Sequence, residues 1–196
     1  MFFEHYTSDT EPLIIPDGAL RFVIWQPITR IDTPKGWHKF FGGEQAFQMG
    51  VAIISDPDNY WQGWQGDARR NRSRFLHKGG YEIGTVSFAE YLAAYAGVKK
   101  FAHLQKGVIR RMTKKHERFG ADITYYVARD SQSGQIVSGL ACLDLPAVNQ
   151  SIHHNAFQLP EIKKSFVATA LVDQWFRHCI SRQIKFLNFG IYFTPG

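Results

Sequence analysis

Asp122-Ile-Thr-Tyr-Tyr-Val-Ala-Arg129, Asp130-Ser-Gln-Ser-Gly134 and Gln135-Ile-Val-Ser-Gly-Leu-Ala-Cys-Leu143 follow one another without a break, and their reading decides the fold. The outer two segments are rich in β-branched and aromatic residues and the middle one consists of turn formers, so together they read as a β-hairpin. Asn149 to Gln158 reads as a third strand. Pro160 then punctuates the chain, and Phe166, Val167, Ala170, Leu171, Trp175 and Cys179 recur at helical spacing. That spacing predicts a core helix of roughly four or five turns. Ser181-Arg-Gln hands over to Ile184-Lys-Phe-Leu-Asn-Phe-Gly190, another strand. Strand, helix and strand in succession form a crossover unit, whose functional cleft opens at the carboxyl ends of its parallel strands. The chemistry is therefore expected near residues 153 to 165.

Upstream, residues 1 to 20 read as irregular because of Pro12, Pro16 and Gly18, and Leu20 to Trp25 reads as a strand ended by Pro27. Thr33-Pro-Lys-Gly36 and Gly42-Gly43 mark a long loop carrying Trp37, Phe40 and Phe41. Phe47 to Ile54 is a second strand, and Ser55-Asp-Pro-Asp58 a turn or helix start with Asp56 or Asp58 as cap. Asn59 to Lys78 reads as helix, anchored by Tyr60, Trp61, Trp64, Ala68 and Phe75 and stopped by Gly79-Gly80. Tyr81 to Val86 is a strand. Ser87 and Glu90 have capping-box spacing for a helix to about Ala96. Gly107 to Gly120 is amphipathic: Val108, Ile109, Met112, His116 and Phe119 share one face, while Arg110, Arg111, Lys114, Lys115 and Arg118 share another.

The net charge of +6 is unevenly distributed. Between Arg69 and Arg118 there are 13 Lys/Arg against three acids, a balance of +10, whereas the rest carries 10 bases and 14 acids. The central block, with Arg69, Arg70, Arg72 and Arg74 at one end and the helical cations at the other, points to an anionic partner such as nucleic acid, phospholipid head groups or a phosphorylated metabolite. The same residues serve equally as a solvated basic surface. At 196 residues the chain fits one domain or one domain with a small appendage. No segment approaches the roughly 18 uninterrupted apolar residues of a membrane span, and the N-terminus has no secretory pattern, so a soluble cytoplasmic protein is expected. Cys142 and Cys179 read as reduced core residues. His153 and His154 are adjacent and neither cysteine has a neighbouring ligand, so no metal spacing is present. A Gly-rich phosphate loop and a Gly-x-Ser-x-Gly elbow are absent too, which leaves a serine hydrolase without support.

From Tyr81 onward the order is strand, helix, helix, strand, strand, strand, helix, strand, which resembles the GNAT acyltransferase fold. That is an α/β (α+β) class with a central twisted mixed sheet flanked by helices. The local phrasing is similar to Fem-type peptidoglycan aminoacyltransferases and related aminoacyl-tRNA–protein transferases: Arg69-Arg-Asn-Arg-Ser-Arg-Phe75 before Gly80-Tyr81, Val86-Ser-Phe-Ala-Glu-Tyr91, Tyr125-Tyr-Val-Ala-Arg129 with Ile136-Val-Ser-Gly-Leu140, and Phe189-Gly-Ile-Tyr-Phe-Thr-Pro-Gly196. The resemblance covers about residues 59 to 196 and leaves residues 1 to 58 as strands and loops that pack on or complete the sheet. The typical fold continues past Gly190 with a helix and two strands, whereas this chain stops at Gly196, so either the N-terminal strands complete the sheet or the domain is truncated.

The resemblance implies N-acyl transfer to an amine of a peptide or amino-acid acceptor. CoA-dependent members hold pyrophosphate with a Gln/Arg-x-x-Gly-x-Gly/Ala turn, but this chain has no glycine between Gly139 and Gly190, and the corresponding turn is Gln158-Leu-Pro-Glu-Ile-Lys-Lys-Ser165. Close approach of backbone to diphosphate needs missing side chains. Members of the Fem-like branch take the acyl group from aminoacyl-tRNA, so the resemblance implies that donor, with no permanently bound cofactor, and the basic block would meet tRNA phosphates. Acetyl-CoA with an atypical phosphate turn is the alternative donor, and a non-catalytic module binding RNA or another polyanion the alternative function. The reacting carbonyl is expected where the third strand splays from the last one, with His153, His154 and Asn155 as catalytic candidates. Lys163 and Lys164, at the amino end of the long helix, would hold a phosphate. Tyr192, Asn188 and Asp144 lie at strand ends as further candidates. Trp61 and Trp64 read as core or interface.

Overall fold

The computed structural model describes residues 2–7, 21–26, 48–98, 102–162 and 166–192. The chain divides into two compact units, Met1–Gln48 with Ile191–Gly196 and Met49–Gly190. In the first, β1 (Phe2–Thr7) and β2 (Arg21–Gln26) pair in parallel, with Phe2 opposite Arg21. β1 lies in the stretch read as irregular. It precedes the prolines and Gly18 on which that reading rested, and Phe2, Phe3, Tyr6 and Thr7 are good strand formers. The loop predicted to carry Trp37, Phe40 and Phe41 lies outside the described residues.

The second unit carries β3 (Gln48–Ile53), α1 (Gly66–Lys78), β4 (Tyr81–Thr85), α2 (Phe88–Ala96), α3 (Ala102–Phe119), β5 (Ile123–Asp130), β6 (Ile136–Leu145), β7 (Gln150–Gln158), α4 (Val167–Ser181) and β8 (Phe186–Tyr192). Its six-stranded sheet has the order β3-β8-β7-β6-β5-β4. β4 to β7 form an antiparallel meander, and α4 carries the chain back so that β8 runs parallel to β7. The predicted hairpin, third strand, long helix and final strand all stand where the sequence placed them. Ser87 caps α2 as expected, its Oγ accepting from the Glu90 amide at 3.2 Å.

Two local expectations change. Asn59 to Lys78 is not one helix: a 3-10 turn at Tyr60–Gly63 gives way to extended backbone at Trp64 (ψ 152°), and α1 begins only at Gly66. Gly63 and Gly66 weaken helical continuity, and the extended step lets the Trp64 ring reach Phe176, with centroids 5.1 Å apart. Asp56 caps neither helix. Its Oδ1 accepts from the amides of Asp58 (3.0 Å) and Asn59 (3.1 Å), an Asx turn.

Alternation along β5 and β6 sends side chains to two cores. Tyr126, Ala128, Leu140 and Cys142 meet Leu171, Trp175, Phe176 and Cys179 of α4, with Trp64 and Phe75 packed beside them. Tyr125, Val127, Ala141 and Leu143 meet Tyr91 of α2 and Met112 of α3 on the other face. α1 and α4 thus cover one side of the sheet, and α2 and α3 the other. No helix among the described residues is long and apolar enough to cross a membrane.

Candidate active site

The site grows from an irregularity in β7. Antiparallel partners share a face, so Ser151 opposite Asp144, and His153 opposite Cys142, stand on the α4 side. The next β6 residue, Ala141, is paired with Asn155, which leaves His154 as the extra residue of a β-bulge. The bulge reverses the parity of the strand. Asn155 and Phe157, which strict alternation would put with Ser151, instead meet Tyr91 of α2: its hydroxyl donates to Asn155 Oδ1 at 3.1 Å and lies 3.3 Å from the Asn155 carbonyl, and its ring packs edge-on against Phe157 at 5.3 Å.

Tyr91 is fully buried. Burial, followed by Cys142, Tyr125 and Tyr95, raises its pKa well above the ordinary value, so the hydroxyl stays protonated and keeps its donor role. With Oδ1 engaged, the Asn155 amide protons remain as donors, the polarity that a developing oxyanion needs. His154 Nε2 is buried with no hydrogen-bond partner. Burial, then the nearby Lys115 charge, then His153, lower its pKa from 6.5 to about 4, so the imidazole is neutral at physiological pH. Lys115, half-buried on α3, also has a lowered pKa because of burial. Behind this group, Tyr125 Oη and His116 Nδ1 are 3.2 Å apart, and the His116 ring stacks on Phe88 at 4.1 Å. Burial pushes Tyr125 up to about 12.

The two histidines separate into different roles. His153 donates to the backbone carbonyl of Phe189, a bond that partly offsets the burial lowering its pKa, and so ties β7 to β8. Among the described residues the parallel register pairs Gln150, Ser151 and Ile152 with Phe186, Leu187 and Asn188 and goes no further. The bulge therefore lies at the point where the two strands cease to pair. There the structure brings together His154 and Asn155, both singled out from sequence, with Tyr91, which was not, and the charge of Lys115 on α3 acts on His154.

The basic residues are not brought together. Arg69, Arg70, Arg72 and Arg74 lie on α1, on the α4 side of the sheet, whereas Arg110, Arg111, Lys114 and Lys115 lie on α3, on the other. On α1, Arg70 pairs with Asp67, and Arg72 Nε is 2.5 Å from Asp173 Oδ1, an oxygen that also accepts from the Tyr60 hydroxyl at 2.7 Å. Arg177 Nε reaches the other carboxylate oxygen at 3.1 Å. A cavity of about 140 Å³ opens beside this cluster, lined by Arg72, Phe75, Ile83, Asp173 and Arg177 among others. Arg74 and Lys78 sit over the ring of Phe166, 5.4 and 5.3 Å from its centroid. Arg110, Arg111 and Lys114 are exposed. Lys163 and Lys164 lie outside the described residues.

Of the strand-end candidates, Asp144 is buried in a structural chain: its Oδ1 accepts from Ser151 Oγ (2.6 Å), which accepts from Trp175 Nε1 (2.7 Å), and its Oδ2 lies 2.8 Å from His178 Nε2. Tyr91 and Asp173 escaped sequence reasoning because each sits inside an apolar helical stripe and reads as packing or surface. The polar run His153-His154-Asn155 within an otherwise strand-like segment was the one available sign of the bulge.

Neither a protein-family model nor a curated protein matches the chain. Solved structures do. The chain is similar to one titled FemX, at TM-score 0.63 and 10% identity, over 76% of this chain and 54% of that one. A conserved protein of unknown function from Bacteroides thetaiotaomicron VPI-5482 matches at TM-score 0.51 and 13% identity, over 74% and 53%. The C-terminal domain of a putative lysylphosphatidylglycerol synthetase from Agrobacterium fabrum matches at TM-score 0.50 and 9% identity, over 76% and 50%. The chain thus spans about half the length of these structures. The meander, the crossover helix and the parallel final strand thus form a mixed α/β fold shared with the structure titled FemX.

Proposed function

We propose that the chain is an N-acyltransferase of the GNAT/Fem-like class that transfers an aminoacyl or acyl group to an amine of a peptide or amino acid, with aminoacyl-tRNA as donor. The observation that carries this reading is the bulge, which puts an unpartnered neutral imidazole and a pre-aligned amide on one face where β7 parts from β8. The amine nitrogen attacks the donor carbonyl carbon, forming the C–N bond, and the carbonyl oxygen becomes an oxyanion beside the Asn155 amide protons. His154 Nε2 takes the proton released by the amine. Collapse breaks the bond from carbonyl carbon to the donor's ester oxygen, and the imidazolium returns the proton to that oxygen. Tyr91 fixes the Asn155 rotamer.

The start of α4 supports a donor other than a diphosphate held in a glycine turn. Phe166, at φ 63°, occupies the position preceding the helix, and its ring lies beneath Arg74 and Lys78. A bulky side chain in the left-handed region is held there at a cost that a glycine would not carry.

The test measures binding of charged tRNA and of acetyl-CoA side by side at two salt concentrations, then transfer by His154→Ala and Asn155→Ala. Each neutralised phosphate contributes about 0.7 to 0.9 to the log–log salt slope. Steeply salt-dependent tRNA binding without acetyl-CoA binding, with each substitution lowering kcat by about 100-fold, is the expected result. Binding of acetyl-CoA alone reassigns the donor, and polyanion binding without any transfer reassigns the chain as a non-catalytic module.

A further inference from the structure

We propose that Lys115 is a subsite for a carboxylate borne by the acceptor, so that the acceptor presents its amine to His154 and an anionic group to Lys115. The inference deepens the acyltransferase reading and rests on it for the word acceptor. Its neighbours on α3, Arg110, Arg111 and Lys114, are exposed, whereas Lys115 is half-buried and its charge is felt by His154 in the sheet. Ion pairs among the described residues engage Asp67, Glu90, Asp144 and Asp173, none of which pairs with Lys115. A partly desolvated ammonium without a counter-ion is an unfavourable arrangement unless a ligand completes it. The groups around His154 repeat the pattern: the Asn155 amide has donors to offer, His154 Nε2 is orphaned, and among the described residues the charged groups acting on His154 are Lys115 and His153, with no carboxylate. What is missing from the cluster is an anion. A single ammonium matches a monoanionic carboxylate better than a phosphate dianion.

The arrangement couples recognition to chemistry. The groups acting on His154 are Lys115 from α3 and His153 on its own strand. On the same face Tyr91 of α2 and Tyr125 of β5 remain protonated, and His116 of α3 is bonded to Tyr125. Lys115 is thus the fixed charge that opposes protonation of His154. A carboxylate on Lys115 offsets that charge and lets His154 take the proton when an acceptor is in place, which favours amines that carry a carboxylate over their neutral amides.

The test follows the His154 ring by NMR in the intact, isotope-labelled chain, its signal assigned by its loss in His154→Gln, while pH is varied with acetate, glycine, glycinamide or inorganic phosphate present. Acetate and glycine are expected to raise the His154 midpoint by about one pH unit, and glycinamide to leave it alone. Lys115→Met is expected to raise the midpoint without ligand and abolish the response, and Lys115→Arg to retain it. An unmoved midpoint with acetate, a response that survives Lys115→Met, or a response to phosphate alone overturns the proposal. Because the readout is a titration, the two readings fail separately: an acetate response without transfer activity removes the acyltransferase and leaves the anion site, whereas transfer to acid and amide acceptors alike, with no acetate response, removes the subsite only.

Discussion

His154 ties the chemistry of the site to the stability of the fold. Its folded pKa of about 4 lies below the ordinary 6.5, so between these values the unfolded chain binds more protons than the native one. Stability therefore rises with pH through that window and is lost as pH falls from about 6.5 toward 4. His154→Gln removes this contribution, and urea unfolding of the two proteins at neutral pH and near pH 4.5 should show a smaller acid-induced loss in the variant. An equal loss in both would mean that His154 is protonated in the native state. His153 is also lowered by burial, but its bond to Phe189 works in the opposite direction, so its acid sensitivity is a separate, partly offset component.

The decisive element is β7, and the neighbouring strand accommodates what its bulge brings to the α2 side. Once Phe157 and Tyr91 are turned onto the same face, they close over Gly139 of β6. A Cβ there would lie 2.7 Å from the Tyr91 ring and closer still to Phe157. Gly139→Ala should therefore destabilise the fold by about 1 to 3 kcal/mol through overpacking, read as a lowered urea midpoint. It should also disturb the Tyr91–Asn155 bond and slow transfer. A neutral effect would show that the Tyr91 and Phe157 rings can shift without cost. On the α4 side, by contrast, Ser151, Asp144, Trp175 and His178 satisfy one another, which fixes the crossover helix against the strands.

At the scale of the molecule, the sheet divides the basic block into two surfaces. The α1 cations are largely engaged, Arg70 with Asp67, Arg72 with Asp173 and Arg74 over Phe166, while Arg110, Arg111 and Lys114 are exposed on the side that carries His154 and Asn155. On the aminoacyl-tRNA reading the α3 surface is the one that meets phosphate. Arg110→Glu, Arg111→Glu and Lys114→Glu together should weaken tRNA binding and flatten the log–log salt slope by about 2, one increment per lost contact. Arg69→Glu should leave the slope unchanged. The opposite outcome would move the donor to the α1 side.

The hairpin at 122–143, the third strand, the amphipathic helices and the crossover were legible in the sequence because each is set by local propensity and by spacing along the chain. The missing glycines before α4 were legible for the same reason. The parity of β7 was not. A bulge depends on how Ala141 and Cys142 pair with a neighbouring strand, and strict alternation would have set Asn155 beside Ser151. Tyr91 was silent because its role comes from where its hydroxyl ends up, not from its residue type. The separation of Arg69–Arg74 from Arg110–Lys115 was silent as well, since one run of charge along the chain says nothing about which face of a sheet each helix will cover. Sequence determined which segments become strands and helices, through interactions between near neighbours. Which side chains share the site was decided by pairing and packing between residues distant along the chain, and only the tertiary structure holds that information.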